Sequence, residues 1–124
     1  MERSDLEDLY VDTDLLLAPS RFESFGLIGI EAMASGRPVL ALDVGGLAEI
    51  IEPGVTGLTF AETPDTAAEI AVAVLTLDAD RERLLAMGRA ARGRYEASYT
   101  VEAMAEALDV IYGGVIAGRR EAAA

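Results

Sequence analysis

Two carboxylates stand out for their setting. Glu23 and Glu31 lie eight positions apart in the stretch PSRFESFGLIGIEAMASGRPVLALDVGG, residues 19–46. Glu23 falls in a polar turn, whereas Glu31 interrupts an apolar run. A carboxylate accepts paired hydrogen bonds from vicinal hydroxyls, so either residue suits a ribose or hexose diol. If every intervening residue were helical, the two would sit ~12 Å apart along the axis. That spacing does not establish a glycosidase-type acid–base pair. It fits two contacts with different parts of one extended ligand. The bland alternative for Glu31 is an ion pair with a nearby arginine, Arg37 being one candidate. The pair Gly45-Gly46 ahead of a helix is likewise an ordinary tight turn as well as a possible anion cradle.

The surrounding pattern supplies elements to carry these residues. Residues 4–10 form a short helix with Ser4 or Asp5 near its cap. Residues 14–20 are a short apolar run stopped by Pro19, and 38–43 form a second such run. Both fit buried parallel strands. Residues 25–36 lie between them as a helix with Leu27, Ile30 and Ala34 at helical spacing, and Gly36 marks its end. Residues 45–52 form a short helix, and 58–60 a third strand. The rest is helical. Residues 63–77 take Thr63 as cap and Pro64 as first helical residue, with Ala67, Ile70, Ala71, Val74 and Leu75 as the inward stripe. Residues 80–98 follow. Residues 100–118 start at cap Thr100 and carry Val101, Met104, Ala105, Leu108, Ile111 and Tyr112 on one face. RREAAA is a tail. The expected fold is α/β, a partial Rossmann-like parallel sheet of about three strands in βαβαβ order, followed by a C-terminal helical segment. In such sheets ligands bind beyond the carboxyl ends of the strands, which is where the loops SRFESFG and DVGG fall.

Composition narrows the chemistry. Of 124 residues, 52% are hydrophobic, enough for a core. Acidic residues number 22 against 10 basic, a net charge of −12, so a nucleic-acid partner is not expected. All the basic residues are arginine, and there is no cysteine or histidine. That removes disulfides, thiolate zinc sites, a thiol nucleophile and the usual general base. No metal and no cofactor are expected. No apolar run approaches the roughly 20 residues of a membrane span. The charged N-terminus lacks a signal-peptide core, and a cytoplasmic protein is the expectation.

The text DLLLAPSRFESFGLIGIEAMASGRPVLALDVGGLAEIIEPGVTGLTF closely resembles the donor-binding half of the retaining glycosyltransferases of family 4, which have the GT-B fold. Glu23 and Glu31 meet the family's E-x7-E spacing. Pro19, Ser20, Glu23, Phe25, Gly26 and Leu27 meet P-S-x-x-E-x-F-G-L. Residues 31–39 meet E-A-M-A-x-G-x-P-V, and Gly45, Gly46 and Glu49 meet G-G-x-x-E. The resemblance implies transfer of a sugar from a nucleotide-diphosphate sugar to an acceptor with retention at the anomeric carbon. It implies Glu23 as the catalytic-site carboxylate touching donor-sugar hydroxyls, and backbone amides of Phe25, Gly26 and Leu27 on the sugar or phosphates. It implies Glu31 on the ribose hydroxyls, and Gly45 and Gly46 letting the chain pass close to the donor.

In that family an N-terminal Rossmann domain binds the acceptor, and an Arg/Lys pair earlier in the C-terminal domain neutralises the diphosphate. Neither precedes Met1, and Arg21 is the substitute within reach. The whole chain is then expected to be one segment, the second half of a GT-B C-terminal domain, which alone binds donor weakly and does not complete catalysis. Its expected partners are the nucleotide sugar and either a separate N-terminal half or a second copy meeting the uncovered sheet surface. The alternative is a non-catalytic GT-B module that serves in binding or assembly.

Overall fold

The computed structural model describes residues 3–122. Its elements are α1 (Arg3–Val11), β1 (Leu16–Ala18), α2 (Leu27–Ala34), β2 (Val39–Leu42), α3 (Gly45–Ile50), β3 (Gly57–Phe60), α4 (Thr66–Ala79), α5 (Arg81–Ser98) and α6 (Val101–Ala122). The three strands are parallel in the order β1-β2-β3, with Leu16 opposite Val39 and Val39 opposite Gly57. The expected βαβαβ order is therefore the observed one.

Strand β2 explains why the sheet needs cover on both faces. All four of its residues are buried. Alternate side chains of a strand point to opposite faces. Val39 and Ala41 join one core with Ala32 and Met33 of α2, Leu47 and Ile50 of α3, and Ala91 of α5. Leu40 joins the other, with Leu77 of α4 and Leu84 and Met87 of α5. Helix α5 contributes to both cores, and its Gly88 lies so near α2 that a Cβ there would come within 2.3 Å of the Gly36 carbonyl oxygen.

Helix ends follow the local chemistry. Gly36 ends α2 at φ 69°, a left-handed conformation that glycine adopts without Cβ strain. The N–H of Gly36 donates to the Met33 carbonyl at 3.0 Å and that of Arg37 to Ala32 at 2.9 Å, the paired bonds of a Schellman stop. Asp80 caps α5 by accepting from the Arg83 N–H at 3.1 Å, and Thr100 caps α6 by accepting from the Ala103 N–H at 3.1 Å. Helix α1 already includes Arg3, so Ser4 and Asp5 lie within its first turn rather than ahead of it.

Four expectations are corrected. Helix α4 begins at Thr66, not next to Thr63. The Thr66 hydroxyl donates to the Ala61 carbonyl and accepts from the Thr63 N–H, which forms Pro64 and Asp65 into a turn before the helix. The inward face of α4 is Thr66, Ile70, Ala73, Val74 and Leu77, while Ala67, Ala71 and Leu75 are exposed. In α2, likewise, Gly29, Ala32 and Met33 are the buried residues and Leu27 is exposed. The stretch RREAAA is not a tail throughout, because α6 continues through Ala122; residues 123 and 124 lie outside the described residues. Along α6 the large apolar residues Val101, Met104, Leu108, Ile111 and Tyr112 are left exposed among the described residues. Among the described residues no helix is long and apolar enough to cross a membrane.

Candidate functional site

The loop that leaves β1 and the loop that leaves β2 meet at the carboxyl edge of the sheet. The N–H of Gly46 donates to the Glu23 carbonyl at 3.1 Å. The Glu23 side chain turns back, and its Oε1 accepts from the Gly26 N–H at 3.1 Å. Gly26 is the residue ahead of α2, at φ 85°, and a Cβ on it would press on Ile50 and on the Gly46–Leu47 backbone. A Cβ on Gly45 would fall 1.8 Å from the Glu23 carbonyl oxygen, and one on Gly46 would fall 2.2 Å from that of Phe25. Glu23, Phe25, Gly26, Gly45 and Gly46 are thus brought together by a contact that only two glycines permit.

The structure adds two contacts within the protein to those the resemblance implies. The close approach that Gly45 and Gly46 allow in this structure is to the 23–25 loop itself. The Gly26 amide, expected on the donor, is taken by the Glu23 carboxylate. That bond leaves Glu23 half-buried, with Oε2 to accept a hydroxyl. The surface around it is open, since Phe25 and Leu27 are 61% and 62% exposed.

Glu31 sits four residues after Leu27 on α2, one turn of helix along, and is exposed on the same side. Its partner is not Arg37. The Tyr10 hydroxyl donates to Glu31 Oε2 at 3.3 Å and also lies 3.4 Å from the Ile28 carbonyl oxygen. Arg37 instead donates through Nε to the Tyr10 carbonyl at 2.8 Å and through Nη2 to that of Val11 at 2.6 Å, closing the C-terminus of α1. Burial, and then the charge of Glu31 and its hydrogen bond, raise the Tyr10 phenol above the ordinary tyrosine value. Tyr10, which sequence reasoning did not single out, is the side chain the structure brings to Glu31. Its only local signal is an aromatic ring with a polar tip at the end of a short helix. Arg21, the substitute within reach for the family's basic pair, is paired with Glu62 at 2.8 Å on the surface.

A parallel sheet covered by helices on both faces, with two glycine-bearing βα loops locked at its carboxyl edge, defines a Rossmann-like α/β unit. The family described as Glycosyl transferases group 1 matches residues 1–80, and the chain belongs to that family. The lipopolysaccharide core biosynthesis mannosyltransferase LpsB of Rhizobium meliloti (strain 1021) is 38% identical over 113 residues, covering 90% of this chain and 32% of that protein. The chain therefore spans about a third of the length of that relative. Among solved structures, Anabaena HepE in complex with UDP-glucose superposes with a TM-score of 0.74 at 29% identity, over 87% of this chain and 30% of that one. The C-terminal domain of the group 1 family protein LpcC from Francisella tularensis gives a TM-score of 0.72 at 25% identity, over 81% and 50% respectively. The architecture is that of a GT-B C-terminal domain.

Proposed function

We propose that this chain is the donor-binding segment of a retaining glycosyltransferase, one that moves a sugar from a nucleotide-diphosphate sugar to an acceptor. In this reading Glu23 contacts donor-sugar hydroxyls and Glu31 accepts from the ribose diol. Amides of Phe25 and Leu27, on either side of the Gly26 N–H that Glu23 holds, meet the sugar or phosphates. The observation that carries it is the joined pair of βα loops, which holds Glu23 at the carboxyl edge of a parallel sheet, with Glu31 one turn along the helix that follows. Ligands of such sheets bind at that edge. The complex of the related HepE with UDP-glucose supports a nucleotide sugar as the ligand class. With Arg21 engaged by Glu62, no described arginine in the two loops remains to neutralise a diphosphate, so the segment alone binds donor weakly and does not turn it over.

The test is a titration of the purified chain with UDP-, GDP- and ADP-sugars and with the free nucleotides. Glu31→Ala weakens both sets, because both carry ribose. Glu23→Ala weakens the nucleotide sugars and leaves the free nucleotides unchanged. Saturable binding that survives both substitutions sinks the reading. The uncovered face of α6 favours a second reading, a binding or assembly module without catalysis. A stable monomer by light scattering counts against it.

A further inference from the structure

We infer that Tyr10 is a positioning residue for Glu31, its hydroxyl holding the carboxylate where the ribose diol of a nucleoside diphosphate is received; the inference rests on the donor-binding reading above. Glu31 is exposed on α2, and an exposed glutamate samples many rotamers. Fixing such a side chain costs conformational entropy. Tyr10 removes part of that cost before any ligand arrives. Its ring is 7% exposed and packed in the core with Ala32 and Met33, so the phenol oxygen has a fixed address.

The backbone of Tyr10 is fixed as well. Its carbonyl accepts from Arg37 Nε at 2.8 Å and from the Thr13 hydroxyl at 3.0 Å. Arg37 directly follows the stop of α2. Helix α1 is therefore tied to α2 and its stop twice, by the Tyr10 carbonyl accepting from the Arg37 guanidinium and by the Tyr10 hydroxyl donating to Glu31.

The chemistry leaves room for a ligand. An ionised carboxylate has about four lone-pair sites. Tyr10 occupies one of them on Oε2, which leaves Oε1 and the rest of Oε2 for two vicinal hydroxyls. A phenol has one proton to give, and the Ile28 carbonyl at 3.4 Å is its other acceptor. When Glu31 shifts towards a ligand, the buried hydroxyl is not orphaned. Burial and the neighbouring charge keep that proton in place through neutral pH, so Tyr10 remains a donor.

The experiment is an NMR titration of the 124-residue chain with UDP, GDP and ADP and with their 2′,3′-dideoxy counterparts. Wild type, Tyr10→Phe, Glu31→Gln and the double variant are compared. Tyr10→Phe keeps the buried ring, and its amide spectrum verifies the fold. It weakens the best-bound ribonucleotide about three- to tenfold, as loss of one hydrogen bond does. It leaves the dideoxy counterpart unchanged, and it adds little once Glu31→Gln is present. Equal weakening of ribo and dideoxy ligands shows a merely structural tyrosine and overturns the inference. So does an effect of Glu31→Gln without one of Tyr10→Phe, with the donor reading left standing. A folded wild type that binds no nucleotide at millimolar concentration, or does not distinguish ribo from dideoxy, overturns the donor reading and this inference together.

Discussion

The backbone N–H of Gly46 donates to the carbonyl oxygen of Glu23 across 3.1 Å, so the loop after β2 holds the loop after β1. The atoms that a Cβ on Gly46 would strike are all backbone: the Phe25 carbonyl oxygen, its carbon and its Cα, at 2.2, 2.3 and 2.6 Å. Backbone cannot rotate aside as a side chain can. Gly46→Ala therefore displaces the 23–25 loop and with it the Glu23 carboxylate. Urea unfolding is expected to show a loss of about 1–3 kcal/mol, the usual range for overpacking. Gly93→Ala is the control, since Gly93 lies on the exposed side of α5 with nothing within 4 Å of a Cβ. There alanine gains up to about 1 kcal/mol of helix propensity. Equal stability of Gly46→Ala and wild type would show that the two loops are not locked together.

What was legible in the sequence was what local chemistry determines. The three strands are short apolar runs with a stop, and all three are present. Gly36 and Thr100 end and start helices as their types require. The buried face of α4 was not legible. In TAAEIAVAVLTLDA nearly every turn offers several apolar residues, so periodicity does not fix the phase, and the sheet chose Ile70, Ala73, Val74 and Leu77. The hold of Tyr10 on Glu31 spans 21 residues and two helices, and no local spacing announces it. The Gly45-Gly46 turn was visible, but the chain that crowds it was not. The Glu23–Phe25 backbone packs against these two glycines, a contact between separate loops that no local spacing announces.

The Tyr10 phenol supplies a pH dependence with a definite sign. Burial first, then the Glu31 charge and the hydrogen bond to it, raise its folded value above the ordinary 10.0. The folded state thus holds the proton more tightly than the unfolded chain. The contribution is fully present below about pH 10 and is lost as pH rises through the folded value. Urea midpoints recorded from neutral to strongly alkaline pH are expected to fall in wild type above pH 10, and less steeply in Tyr10→Phe. Ultraviolet titration is expected to lose, in that variant, a tyrosine that ionises above pH 10. Superimposable alkaline profiles of the two proteins would remove the raised phenol from the account.

Large apolar residues do not contribute equally to stability here, and α6 tests that directly. Leu108 is 40% exposed and Ile111 59%, and the one half-buried side chain described along α6 is Ala103. Leu77, by contrast, is 1% exposed and packs under β2 beside Leu40, Leu84 and Met87. Leu77→Ala leaves a cavity in a closed core and is expected to cost about 2–5 kcal/mol. Replacing Leu108 and Ile111 together by glutamine changes two side chains outside the closed core. The unfolding free energy from urea titration is then expected to change by no more than about 0.5 kcal/mol. Binding of an apolar fluorescent dye is expected to fall, because the uncovered stripe is what such a dye occupies. If the double glutamine variant instead loses as much stability as Leu77→Ala, α6 is packed against protein in solution. Repeating the measurement across a range of protein concentrations then identifies the cover. A concentration-dependent midpoint identifies a second copy of the chain, and a constant one identifies the chain's own sheet and helices.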